Sequence, residues 1–190
     1  MGAIQNEKSV KLLKKLRNLT FEKNLKRELA KNSRQRLNIT SDEVKSICVL
    51  YYLSNEEAYK AISNFVNELK ENRQKVKVLG YIDEVVLPHY YSQKITWDLM
   101  TRKNTNWYHK PTASIVKTFC DEDFDLLIDL TLEDYQPLIY TAALSKARFK
   151  AGRYSESNAE IFDLMIHADQ VQSLPEFIKN VKHYLSKINR

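Results

Sequence analysis

Glycine and cysteine are scarce in this 190-residue chain, which holds three glycines (Gly2, Gly80, Gly152) and two cysteines (Cys48, Cys120). A glycine-rich phosphate cradle needs bare backbone amides that such a sequence cannot supply. Two cysteines are too few for a zinc finger or a disulfide-stapled secreted module. No apolar run approaches the roughly 20 residues of a membrane span, and the first twenty residues lack the apolar core of a secretory leader. The chain is therefore expected in the cytoplasm. What it does contain is 43% hydrophobic, 28% charged and 11% aromatic residues. That balance can bury a core and is too apolar for disorder throughout.

Charge is unevenly distributed. The whole chain carries +6. Residues 1–40 hold eleven basic side chains against three acidic ones, a net +8, and the remaining 150 residues carry −2. The boundaries follow from this shift: a basic helical extension over 1–40 and an α/β domain over 41–190. The extension is rich in Leu, Lys, Glu, Arg and Ala and has no internal proline, so it reads as helix. At 100° per residue, Leu12, Leu13, Leu16 and Leu19 share one face, and Phe21, Leu25 and Leu29 share nearly the opposite one. Two stripes on one helix predict a break near 18–20, with Thr20 capping a second helix. Charge of this sign and density predicts a polyanionic partner, with Lys11, Lys14, Lys15, Arg17, Lys26, Arg27, Arg34 and Arg36 contacting phosphates. Phe21 is the only aromatic there, so base stacking is not expected. An in-plane membrane helix is a further reading of the same residues, ranked below nucleic acid because the apolar face is split and no Trp or Tyr sits at its edges. The plainest one is a solvated charged helix that docks its leucines on the body.

The body alternates strand-like and helix-like segments. The runs 45–53 (KSICVLYYL), 76–82 and 124–130 (FDLLIDL) are continuously apolar, as strands buried on both faces must be. Ser54 with Glu57 forms a capping-box pattern before a helix over 56–71, where Ala58, Ile62, Phe65, Val66 and Leu69 recur at helical spacing. Further helices are predicted over 136–146 and 174–188, and strands over 147–150 and 161–166, with Gly152 as a turn. Residues 88–118 are turn-rich and aromatic, with short strands predicted at 94–97 and 107–109. Alternating strands and helices predict a Rossmann-like, mostly parallel sheet with helices on both faces.

In such folds ligands sit beyond the carboxyl ends of the strands. The candidate crevice is Tyr52, Ser54, Asp83, Glu84, Asp134, His167 and Asp169. Its rim is acidic, and Ser54, Glu56 and Glu57 occupy the first helix start, so no nucleotide cofactor is expected. Carboxylates at strand ends usually cap helices, so no metal is expected either. Cys48 reads as a buried hydrophobe, and Cys120 lies among acids that blunt a nucleophile. The four histidines show no ligand spacing, and no catalytic motif appears.

Residues 45–52, the stretch Asn106-Trp107-Tyr108-His109-Lys110-Pro111 and residues 124–153 together resemble an uncharacterised family of small α/β proteins from Bacteroidota. That family shares the basic N-terminal helix, and the resemblance implies the fold without an activity. The segment FDLLIDL…AALSKARFKAGR is also similar to a strand–helix–strand of the N-terminal half of heptosyltransferase-like GT-B enzymes. In those enzymes a C-terminal domain holds the nucleotide-sugar, and no such domain is expected in these 190 residues. The function expected is therefore a non-catalytic adaptor that docks its basic segment on a polyanion, with rRNA or the ribosome foremost, while the body contacts protein. The alternatives are a small enzyme or ligand-binding module using the crevice, and a peripheral membrane adaptor.

Overall fold

A computed structural model describes residues 2–32, 34–37, 39–40, 43–168 and 173–187. The element order is α1 (Gly2–Leu29), β1 (Ser46–Tyr52), α2 (Glu56–Glu71), β2 (Lys75–Ile82), β3 (Trp97–Thr101), α3 (Ser114–Asp121), β4 (Leu126–Asp129), α4 (Gln136–Leu144), β5 (Phe149–Arg153), β6 (Leu164–Ile166) and α5 (Leu174–Leu185). Six strands form one sheet in the order β3-β2-β1-β4-β5-β6. All five ladders are parallel. The predicted Rossmann-like α/β architecture is therefore the observed one, and the strand order reverses between β1 and β4.

Strand period sets the layers. In β1, Ile47, Val49 and Tyr51 point to one face, where Ile62, Phe65 and Val66 of α2 and Phe177, Ile178 and Val181 of α5 cover them. Cys48 and Leu50 point to the other, against Val116 and Phe119 of α3 and Leu138 and Ala142 of α4. The back of α1, with Phe21 and Leu25, joins this second cluster from outside α4. Gly80 in β2 is required by packing: a Cβ there would lie 2.6 Å from the Tyr51 ring and 2.7 Å from Leu99.

Several local expectations are corrected. α1 runs unbroken through residues 18–20, and Thr20 caps nothing: its Oγ1 donates to the Leu16 carbonyl one turn back, at 2.8 Å. The α2 cap is Asn55, one residue beyond Ser54, and its side chain accepts from the Ala58 amide at 2.8 Å. The strand expected at 94–97 lies at Trp97–Thr101. Residues 107–109 form a turn instead of a strand. The Asn106 carboxamide accepts from the Tyr108 and Lys110 amides, and His109 takes the left-handed region at φ 61°. α3 was not anticipated in the aromatic stretch. Gly152 lies within β5, because the Phe162 ring would sit 2.7 Å from any Cβ at that position.

Candidate functional site

Two contacts fix the direction of α1. Gln136, at the start of α4, donates to the Asn18 side chain at 3.2 Å. Asn32 donates to the Ala143 carbonyl, at the end of α4, at 2.8 Å. The two helices therefore run parallel. α4 begins at the edge where the strands end, so the residues before Asn18 extend past that edge. At 1.5 Å per residue this overhang is about 24 Å long. The docked half buries Phe21 and Leu25 beside Tyr140 of α4. The predicted second stripe faces away from the body: Leu12, Leu13, Leu16 and Leu19 are 68%, 64%, 53% and 53% exposed. At helical spacing Leu12, Leu16 and Leu19 fall within about 60° of arc, opposite Phe21, Leu25 and Leu29. Lys15, Lys23 and Lys26, all exposed, fall within and beside the same arc.

The predicted phosphate-binding residues divide. Lys11, Lys14 and Lys15 are exposed on the overhang. Arg27 is exposed too and lies 3.8 Å from Glu28. Arg17 is half-buried, with its Nε buried and unpartnered, near His109. Lys26, Arg34 and Arg36 converge at the foot of α1 on a cavity of about 740 Å³. Arg34 is tied into the body: its guanidinium forks onto both oxygens of Asp163, at 2.6 and 2.9 Å, and reaches the Ala147 carbonyl. Arg36 donates to the Glu160 carbonyl at 2.9 Å and keeps most of its side chain exposed.

The cavity has a fourth cation that the sequence reading missed, Lys150 of β5. It is 1% exposed. Its Nζ donates to the Ala142 carbonyl at 2.6 Å and the Ala143 carbonyl at 3.3 Å, near the C-terminal end of α4. Burial, and then the positive charge of Arg34, bring its pKa down to about 7. The nearby thiols Cys48 and Cys120 are buried, and burial pushes both up, Cys120 to about 12. Neither is a ready nucleophile.

The predicted crevice residues fall into separate groups. Tyr52, at the end of β1, stacks on Tyr135 with ring centroids 3.7 Å apart and planes 7° from parallel, which covers the β1/β4 reversal point. Asp83 accepts from the Tyr81 hydroxyl and from Arg102 Nε, both at 2.9 Å. The Arg102 guanidinium holds its carboxyl below the usual range. The Glu84 carbonyl accepts from the Arg102 amide, and Ser54 is exposed. Asp134 belongs to a second cluster, bonded to Arg153, Ser155, Ser157 and Asn158. His167 stacks on Tyr154 at 4.3 Å, and Asp169 lies outside the described residues. Asp129, at the tip of β4, was not anticipated. It is 2% exposed, and burial raises its carboxyl to about 6 although it accepts from the Thr131 amide. The aspartate was hidden because it continues the apolar run FDLLIDL. Of the described crevice residues, Asp134 alone lines any of four cavities of about 230 to 740 Å³. Among the described residues no group of three or more His, Cys, Asp or Glu could hold a metal ion, and no helix is long and apolar enough to cross a membrane.

Comparison with solved structures finds E. coli heptosyltransferase WaaC with ADP at 16% identity and a TM-score of 0.42. The same enzyme with ADP-2-deoxy-2-fluoro heptose is similar at 17% identity and a TM-score of 0.41. Each match covers 74% of this chain, which spans a little under half of the enzyme chain, 46% and 47%. No curated protein matches. A family model does match, over residues 17–188, which takes in the docked half of α1, the whole sheet and the cationic cavity. The chain thus belongs to DUF6913, a family of unknown function.

Proposed function

We propose that this protein is a non-catalytic adaptor that docks on an anionic membrane surface through the outer face of α1, with the α/β body carried above it and open to protein partners. The carrying observation is the row Leu12, Leu13, Leu16 and Leu19, more than half exposed and turned away from the body, with lysines alongside. A contiguous apolar row on a soluble surface marks a contact site. Each leucine moved fully into the acyl boundary would contribute about 1.5–3 kcal/mol, and each lysine near anionic headgroups about 1 kcal/mol. RNA, the first expectation from charge, would use the same lysines but has no apolar phase for the leucines. The split stripes, an objection to a membrane helix, are explained by one stripe facing the body and the other facing out.

Vesicle co-sedimentation of the full chain tests this, with neutral phosphatidylcholine compared with vesicles containing one-quarter phosphatidylglycerol, beside filter binding to purified rRNA. Binding to the anionic vesicles only is expected, weakened by salt and lost in Leu12→Glu/Leu16→Glu. Both positions are exposed, so the variant should fold as the parent does. Absence of vesicle binding, or rRNA binding that survives the double leucine variant, overturns the membrane reading. The second result would establish RNA as the partner.

A further inference from the structure

We propose that the cavity at the foot of α1 is a binding site for a small phosphate-bearing molecule, held by Lys26, Arg34, Arg36 and Lys150. The site borders the outer leucine face, from which it takes Lys26, and its other cations lie off that face. At about 740 Å³ the cavity has the size of a small-molecule site. Its cations come from two stretches far apart in sequence, 26–36 and 150, so the fold itself brings them together.

Charge is unbalanced there. Four cationic side chains line the cavity against a single carboxylate, Glu160. Behind the wall, Asp163 engages both terminal nitrogens of Arg34. Arg36 spends a guanidinium nitrogen on a neutral carbonyl, with Asp163 no nearer than 3.7 Å. Lys26 has no ion-pair partner among the described residues. Lys150 has only the carbonyls of Ala142 and Ala143 for hydrogen-bonding partners. Carbonyl dipoles orient an ammonium without neutralising it, and Asp163, already forked by Arg34, offsets only part of the charge on this buried lysine. Burial and Arg34 accordingly both act against its protonated form. An anion in the cavity supplies the missing charge.

Arg36 favours phosphate as the anionic group, while Arg34, whose two terminal nitrogens already lie on Asp163, lends only its remaining N–H donors. A guanidinium presents parallel donors that match two phosphate oxygens, and the lysines add point charges. Arg34 is held rigidly by Asp163 and the Ala147 carbonyl, so its orientation is set before any ligand arrives. The exposed Arg36 and Lys26 are positioned to close over the ligand from the rim.

Thermal shift and calorimetry on the full chain test the site, with inorganic phosphate, pyrophosphate and glucose 6-phosphate as free probes. Soluble dihexanoyl phosphatidic acid is the headgroup probe, and chloride at matched ionic strength is the control. A rise in Tm with the phosphate probes beyond that in chloride is expected. Lys26→Gln/Arg36→Gln, both exposed positions, should weaken binding at least tenfold while leaving the ligand-free Tm within about two degrees. Lys15→Gln/Lys23→Gln on the outer face should leave it unchanged. At pH 8, binding should also take up protons as Lys150 is recharged, seen as a dependence of the apparent enthalpy on the buffer. Binding of phosphatidic acid but none of the free probes assigns the site to a headgroup; the converse assigns it to a soluble metabolite. A Tm rise no larger than chloride gives, or one retained in the Lys26/Arg36 double variant, overturns the proposal. Neither result depends on whether α1 binds vesicles.

Discussion

Lys150 gives the sharpest test of the electrostatics. Its amine has an ordinary pKa of 10.5 and is brought down to about 7 in the folded chain. Between these values the folded state has released its proton while the unfolded state keeps it. Unfolding therefore takes up a proton, and stability must rise with pH across that window. From pH 7, where the amine is already half deprotonated, to pH 9 the slope of at most about 1.4 kcal/mol per pH unit integrates to roughly 2 kcal/mol. For a chain of this length that is a Tm increase of about 5 °C. Other groups contribute less in this interval. His109, whose pKa burial lowers, has finished titrating below it, and the buried thiols begin to cost stability only near their ordinary value of 9.0. The assay is differential scanning calorimetry from pH 7 to 9 in phosphate-free buffer, on the parent and on Lys150→Met. The parent should show the rise, and the variant should lack it, keeping only the slight fall toward pH 9 that the thiols give both proteins. Parallel curves would refute the reasoning and place the Lys150 proton on the amine throughout.

Two further variants follow from the packing. Arg34→Ala removes a nearly buried guanidinium and strips the mostly buried Asp163 of its fork, which should cost about 3 kcal/mol in urea unfolding. Arg36→Ala, largely exposed, should cost under about 1 kcal/mol; equal costs would remove the distinction drawn between them. Gly152→Ala drives a methyl to 2.7 Å from the buried Phe162 ring and should lower stability by about 1–3 kcal/mol. A urea midpoint like the parent's would show that the ring yields freely.

The strands at the centre were legible because parallel strands covered on both faces must be apolar at nearly every position, as 45–53, 76–82 and 124–130 are. α2 announced itself by spacing. α3 was missed although Val116, Phe119 and Cys120 keep helical spacing, because eight residues are too few for the period to stand out from an aromatic neighbourhood. The break predicted in α1 came from assuming that a helix has one apolar face and that this face is buried. Lys150 illustrates the limit for sites. A lysine between Phe149 and Ala151 reads as a solvent-facing strand position, and only the closing of α4 over it makes it a buried charge. The Arg34–Asp163 fork joins residues 129 positions apart, and the Tyr52–Tyr135 stack joins the end of β1 to the N-cap residue of α4. No local pattern encodes either meeting.

The anchoring of α1 on α4 also bears on how the overhang holds its shape. A free helix of about fifteen residues is marginal in water, chiefly because its first turn must be nucleated at an entropic loss. Here the segment from Asn18 to Leu29, clamped by Gln136, Tyr140 and the Ala143 carbonyl, serves as a preformed seed. The residues before it need only add turns to an existing helix. The overhang should therefore fray from its tip inward, with helix content that responds smoothly to temperature and to whatever settles on its leucines, while the seeded half persists until the body itself unfolds.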